Sequence, residues 1–331
     1  MILRRLIVSL VLVLSSAAVL ALEEKKFCIY DPVGTGGPSM TFLSSVVPEA
    51  ISWGLNVKLI AYTDEKVASN SFKAGECDVV FLTAILTRHY VPFGGGLNAI
   101  GGIISENGVN QVLKAITNPK AGELLTNGNY EIVGSFPVGD VYLFVKDRNI
   151  DTIGELSGKK VSILNDDPQS LRFTNMVGAS PVGTSLATFS GQFNNGNIDI
   201  LPAVPIAYNV FELYRGLGEM GGILDEKLFF AMMQLVSHKD RFSADFGQKM
   251  RNYILSRLND IHKLAKNSKD EIPAKYWIKT SDETKAELES FKQDIRLALR
   301  DEGVLDPRAL KLLWKIRCSE DASRSECSIP E

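Results

Sequence analysis

Between Phe27 and Thr83 the chain carries a unit that leaves few folds open. Phe27-Cys28-Ile29-Tyr30 is a short apolar run, broken by Asp31-Pro32-Val33-Gly34-Thr35-Gly36-Gly37-Pro38-Ser39, after which Met40 to Trp53 has helical spacing. A second apolar run covers Asn56 to Tyr62. A helix opened by Asp64-Glu65-Lys66 closes at Ala74-Gly75-Glu76, and a third run, Asp78 to Leu82, ends at Thr83. Strand, glycine-rich turn, helix, strand, helix, strand predicts an α/β domain with a parallel sheet. Ligands of such sheets gather at the carboxyl ends of the strands, so a binding site is expected there.

At that end, Gly34 to Ser39 has backbone amides that no bulky side chain shields, leading into a helix start. Amides and helix dipole together suit a carboxylate or phosphate. The plain alternative is a turn using glycine for positive φ and Pro38 as the first helical residue. The stretch does not fit G-x-x-x-x-G-K-[ST], which argues against a nucleoside triphosphate. Thr83 is either a hydrogen-bond donor to a ligand or a helix cap. Arg88, one turn later, is by default a solvated arginine, and the glycines from Phe93 to Gly102 read as a surface turn.

The 331 residues, 45% of them hydrophobic with a net charge of -3, give room for two modest domains and no electrostatic footprint for nucleic acid. Arg4-Arg5, an apolar run from Leu6 and a small-residue exit at Val19-Leu20-Ala21 read as a secretory signal, 1–21, with a membrane anchor as the rival. Four cysteines suit an oxidising compartment and allow three pairings. Cys28 and Cys77 sit at the starts of strands that are neighbours if Asn56 to Tyr62 lies outermost, and Cys318 and Cys327 bracket a short polar tail. The expected pairs are therefore Cys28 with Cys77 and Cys318 with Cys327, each contributing roughly 2–3 kcal/mol. With no C-x-x-C and no close histidine, a zinc site has weak support.

Further along, Val109 to Ile116 and Ala121 to Thr126 read as helices and Tyr130 to Val133 as a strand. Two extended runs from Tyr130 to Asp147 flank Pro137-Val138-Gly139-Asp140, where a change of lobe, and so a hinge, fits best. A fresh unit follows: a short helix at Thr152 to Leu156, a strand at Lys159 to Leu164, a turn at Asn165-Asp166-Asp167-Pro168 and a helix to Val177. Ser162, Asn165 and Asp166 lie at the carboxyl end of that strand, as ligand contacts or as caps. A helix-like stretch at Leu186 to Asn194, a strand at Asn197 to Leu201 and a helix at Ala207 to Leu217 come next, with Tyr208 either facing the cleft or buried. Leu228 to Ser237 returns to the first lobe, and Asp240 to Leu264, Ser281 to Arg300 and Pro307 to Cys318 are amphipathic helices expected to brace both lobes. The division expected is thus 22–135 with about 205–240 as lobe one, 136–204 as lobe two, and 241–331 as bracing helices and disulfide-closed tail.

Three motifs carry a resemblance. Lys73-Ala74-Gly75-Glu76-Cys77-Asp78-Val79-Val80, Ile153-Gly154-Glu155-Leu156-Ser157-Gly158-Lys159-Lys160-Val161 and Phe193-Asn194-Asn195-Gly196-Asn197-Ile198-Asp199 resemble, in order and spacing, the solute-binding proteins of tripartite ATP-independent periplasmic (TRAP) transporters. The likeness covers roughly Phe27 to Leu264, and Gly34-Thr35-Gly36-Gly37 is similar to the opening loop of the second TRAP receptor class. It implies a two-lobed type II periplasmic binding protein fold with a hinge and long C-terminal helices. It further implies a receptor that closes over a small organic anion and delivers it to a membrane partner, a permease; with the secretory signal, the expectation is a monomer in the periplasm. The family's carboxylate-clamping arginine is missing: Ser162 stands in its place, and Leu201-Pro202-Ala203 replaces an acidic and amide pair. Arg88 or Arg172 could supply the charge, or the ligand is neutral or phosphorylated.

The ligand contacts expected are Asp31, Gly34, Thr35, Gly36, Gly37, Thr83, Arg88, Asp140, Ser162, Asn165, Asp166, Arg172 and Tyr208, with no cofactor. An enzyme has little support, because His89, His238 and His262 are scattered and neither G-x-S-x-G nor H-E-x-x-H occurs. A receptor that signals to a membrane sensor is the alternative to delivery.

Overall fold

The computed structural model describes residues 22–331; the expected signal segment, 1–21, lies outside them. Ten strands form one sheet: β1 (Glu23–Tyr30), β2 (Leu55–Tyr62), β3 (Val79–Thr83), β4 (Thr126–Asn127), β5 (Tyr130–Val145), β6 (Lys160–Leu164), β7 (Ser180–Thr184), β8 (Ile200–Ala203), β9 (Gly222–His238) and β10 (Trp277–Ile278). Their order is β2-β1-β3-β9-β5-β8-β6-β7, with β10 on β9 and β4 on β5.

The β1, β2 and β3 trio is parallel, as is β6 with β7 and β8, and each trio has helices on its faces. The inner strands β1, β3, β6 and β8 are buried over most of their length and read as short apolar runs, while the edge strands β2 and β7 are partly exposed. Phe27, Ile29, Val79 and Phe81 pack on Leu43, Val46 and Phe246 under one trio; Phe144, Phe193, Ile198 and Leu201 pack on Leu213 and Tyr276 under the other. β1 lies between β2 and β3, which brings Cys28 beside Cys77 with Cα atoms 5.9 Å apart in one disulfide; Cys318–Cys327 is the second.

Two long strands tie the halves together. β5 and β9 are antiparallel from Tyr130 opposite His238 to Val145 opposite Gly222, with register shifts that include Pro137/Gly139. Pro137 and Gly139 therefore do not end the strand. They make a bulge in it, where the missing N–H and a φ of 144° at Gly139 are accommodated.

Several elements differ from their sequence reading. Ala121 to Thr126 is a single turn of 3-10 helix at Pro119–Ala121 leading to β4. β7 has too few apolar residues to show as a strand. Ala207 to Leu217 breaks into Ala207–Val210 and Tyr214–Leu217 around Glu212, whose φ is 52°. This stretch packs with Phe193 and Leu201 rather than with the first trio, contrary to the expected boundary near 205. The glycines after Phe93 are not a surface turn: Gly94, Gly95 and Gly96 are buried in the helix Pro92–Gly96. A Cβ at Gly94 would stand 1.9 Å from Ile132 Cδ1, so close approach of helix to sheet is what requires glycine there.

Candidate ligand cleft

The carboxyl ends of β1, β3, β6 and β8 converge on one cavity of about 290 Å³. β1 contributes Tyr30, β3 Phe81 and Thr83, β6 Ser162 and Leu164, and β8 Leu201 to Ala203. The bulged centre of β5 adds Phe136 to Val138, β9 adds Phe229 and Met232, and the helix Leu258–Asp270 adds Ile261, Leu264 and Ala265. The wall is overwhelmingly apolar, and among the described residues lining it there is no lysine or arginine. Transfer of an apolar ligand into such a space contributes roughly 25 cal/mol per Å² buried, so about 200 Å² is worth about 5 kcal/mol.

The glycine-rich turn is not the anion cradle expected of it. Asp31, fully buried, accepts from the amides of Ser39 (2.8 Å) and Met40 (3.1 Å) through Oδ2 and from Val33 N (3.0 Å) through Oδ1. Gly34 N and Gly37 N are bound by the carbonyls of Asp31 and Gly34. The helix start is thus neutralised from within by its own carboxylate. A Cβ at Gly37 would fall 1.7 Å from Asp31 Oδ1, so this glycine makes room for the cap. Thr35 and Gly36 are exposed with no part in the cavity wall, and a Cβ at Gly36 meets nothing. Only Pro32, Pro38 and Ser39 from this region reach the cavity.

Thr83 and Ser162 do line the cavity. Ser162 Oγ is 2.9 Å from Thr184 Oγ1, a neutral pair in the place of the arginine that the sequence reading found missing. Asn165 and Asp166 line a smaller alcove of about 60 Å³, which shares Tyr30, Thr83, Ile85, Leu164 and Leu186 with the main cavity. Arg88 donates to the Asp166 carbonyl oxygen at 3.1 Å, and burial lowers its pKa. Arg172 pairs with Glu302 away from the cavity. Asp140 lies 3.0 Å from Lys227 Nζ, and Tyr208 is packed against Tyr214 and Tyr276 in the core. Neither arginine is free to clamp a carboxylate.

Two residues of the site, Glu65 and Tyr30, went unread in the sequence. Glu65, the first residue of the helix Glu65–Lys73, accepts from Thr83 N; burial pushes its carboxyl up to about 7, against the pull of the Thr83 hydrogen bonding. The Tyr30 hydroxyl and the Thr83 hydroxyl are buried without an aligned partner. The apolar cavity therefore ends in a small cluster of polar groups whose hydrogen-bonding capacity is unmet. The only signal for Glu65 was its place beside Asp64, which caps that helix and leaves Glu65 directed at the strand end.

Two half-sheets joined by a pair of long crossing strands, with one apolar cavity at the junction and strand ends facing it, define a two-lobed solute-binding protein. Comparison with known proteins places the chain further. Residues 42–331 match the family model described as solute-binding protein AdeT 1/2. The probable solute-binding protein AdeT1 of Acinetobacter baumannii is 33% identical over 301 residues, covering 91% of this chain and 99% of that protein. The chain belongs to the AdeT 1/2 family of solute-binding proteins, a family of receptors and not of enzymes.

Solved structures share the fold at low identity. A TRAP periplasmic solute-binding protein from Desulfovibrio salexigens with bound orotic acid superposes with a TM-score of 0.71 at 10% identity, covering 89% of this chain and 99% of that one. One from Haemophilus influenzae with bound L-gulonate gives 0.72 at 12% identity over 89% of this chain and 99% of that one.

Proposed function

We propose that the mature chain is a monomeric periplasmic receptor that closes its two lobes on a small, largely apolar organic solute and hands it to a membrane permease. The observation that supports this most is the cavity at the junction of β1, β3, β6 and β8, whose wall offers apolar contact and no cationic clamp. Its volume is at the lower end for small-molecule pockets, roughly 300–1,000 Å³, which suits a ligand the size of a substituted ring. In this reading lobe one holds β1 to β4 with the adjoining halves of β5 and β9. Lobe two holds β6 to β8, the stretch Ala207–Leu217 and the other halves of β5 and β9. The hinge is where those two strands cross, at the Pro137/Gly139 bulge and its partners Ala231 and Met232. Among the described residues no helix is long and apolar enough to cross a membrane.

A thermal-shift screen of the mature protein against small aromatic and aliphatic solutes in neutral, anionic and cationic forms tests this. A ligand at a hundred times its dissociation constant adds about 2.7 kcal/mol, seen as a rise of a few degrees in Tm. Hits confined to sugars and other polyols would contradict the reading.

A further inference from the structure

We propose that the alcove at the end of the main cavity receives the ammonium head of a cationic organic solute whose apolar body fills that cavity. The inference rests on the reading of the cavity given above and adds the charge of its ligand. Three carboxylates line the alcove, Asp64, Glu65 and Asp166, against one lysine, Lys66, which is paired with Asp166 at 2.9 Å. Asp64 is exposed and caps its own helix through Oδ1, and Asp166 is paired with Lys66, so Glu65 is the carboxyl that lines the alcove without a cation. Tyr30, only 3% exposed, presents an unpartnered hydroxyl to the same space, and the Thr83 hydroxyl lies beside the Glu65 carboxyl. An ammonium has three N–H donors and no acceptor, and here it meets two hydroxyl oxygens and a carboxylate. A ligand carboxylate in the same place would face Glu65 and Asp166 with no free cation to offset them.

The surroundings set the proton linkage. Around Glu65 stand Asp64 and Lys66 at the start of its own helix, Tyr30 at the end of β1 with the capping Asp31 next to it, and Asp166 on the turn after β6, which also feels the charges of Arg88 and His89. Burial holds the Glu65 carboxyl near neutrality, so it is half ionised at about pH 7 in the free protein. An ammonium binds to the ionised form. Its affinity then rises roughly tenfold between about pH 6 and about pH 8, while a neutral head group shows no such slope.

Isothermal titration calorimetry of the mature chain with phenethylamine, phenethyl alcohol and hydrocinnamate, which share one aromatic body, tests the proposal. The amine is expected to bind at least about tenfold tighter than the acid at about pH 8. Its affinity falls toward about pH 6, the alcohol's stays level, and Glu65→Gln removes both the preference and the slope. A cooperative melt at or above the wild-type temperature confirms that the variant is folded. Acid binding as tightly as amine, or an amine preference that survives Glu65→Gln, overturns the alcove assignment. If the alcohol binds and the amine gains nothing over it, the alcove assignment falls and the cavity stands. Binding of none of the three overturns the cavity reading and the alcove with it.

Discussion

At Asp31 and Glu65 two carboxylates a few ångströms from the same cleft have opposite situations. Asp31 is surrounded by amides that complete its lone pairs, which makes it part of the scaffold. Glu65 is half-buried, with Thr83 as its hydrogen-bonding neighbour and no cation paired to it. Its folded pKa of about 7 exceeds the ordinary 4.5, so between those values the native state binds more protons than the unfolded chain. The group's contribution to stability is therefore full below about pH 4.5 and is lost as pH rises through about 7. Glu65→Gln, which keeps the acceptor for Thr83 N, is expected to melt above the wild type at about pH 8 and level with it at about pH 4.5. Melts followed by circular dichroism across that range check it; a gap that is widest in acid would contradict the assignment.

The C-terminal elements show how far charge can replace apolar packing. The helices Asp282–Asp301 and Pro307–Glu320 bury Arg296 and Arg317, each 1% exposed or less, and both guanidiniums converge on Glu326 and Glu331 of the tail closed by Cys318–Cys327. Burial acts to raise the Glu326 carboxyl, yet Arg317 and Arg296 outweigh it and hold the pKa at about 2. Glu326→Ala leaves two buried cations short of a partner and is expected to cost about 3–5 kcal/mol in urea unfolding. A loss under about 1 kcal/mol would mean that Glu331 alone suffices.

Local pattern made some of these elements readable and could not reach others. The first unit was legible because β1 and β3 are buried on both faces where they pair and its turns carry Gly and Pro. The helices Asp282–Asp301 and Pro307–Glu320 were legible from their apolar stripe, and the disulfides followed once β2 was placed at the edge. The Pro137/Gly139 bulge looked like a gap between strands because a residue pattern does not show that β9 runs unbroken past it, Met232 and Ala231 pairing on its two sides. The cleft was hardest to see. Its wall draws single side chains from Tyr30, Phe136, Leu201, Phe229 and Ile261, which only the fold brings together. The glycine-rich turn misled for a related reason, since nothing in its spacing says that the Asp31 side chain folds back onto the amides.

On the scale of the molecule, polar contacts and apolar ones divide the labour. Across the mouth of the cleft the turn after β6 is held by Lys66 on Asp166, by Arg88 on the Asp166 carbonyl oxygen, and by Gln169, whose Oε1 accepts from Ile100 N at 2.8 Å and whose Nε2 donates to Asn98 O at 3.2 Å. Such contacts exchange with water at little net cost, about 1 kcal/mol each, so a closed form held by them can open. The helix Leu258–Asp270 runs from Ile261, in the core of one half, to Lys269, which donates to Tyr142 Oη at 2.7 Å in the other. Closure over a solute then adds the apolar burial that the empty form lacks.

That claim, an apolar solute enclosed between the lobes, is tested most directly by titration with the fluorescent probe N-phenylnaphthylamine. Ala265, on the helix Leu258–Asp270, is a half-buried residue of the cavity wall, so Ala265→Trp fills the space without displacing core. The wild type is expected to show saturable one-site binding with blue-shifted emission, and the filled variant, with an unchanged circular dichroism spectrum, to lose it by at least about tenfold, or about 1.4 kcal/mol. Equal binding by both proteins would place the solute elsewhere and contradict the account.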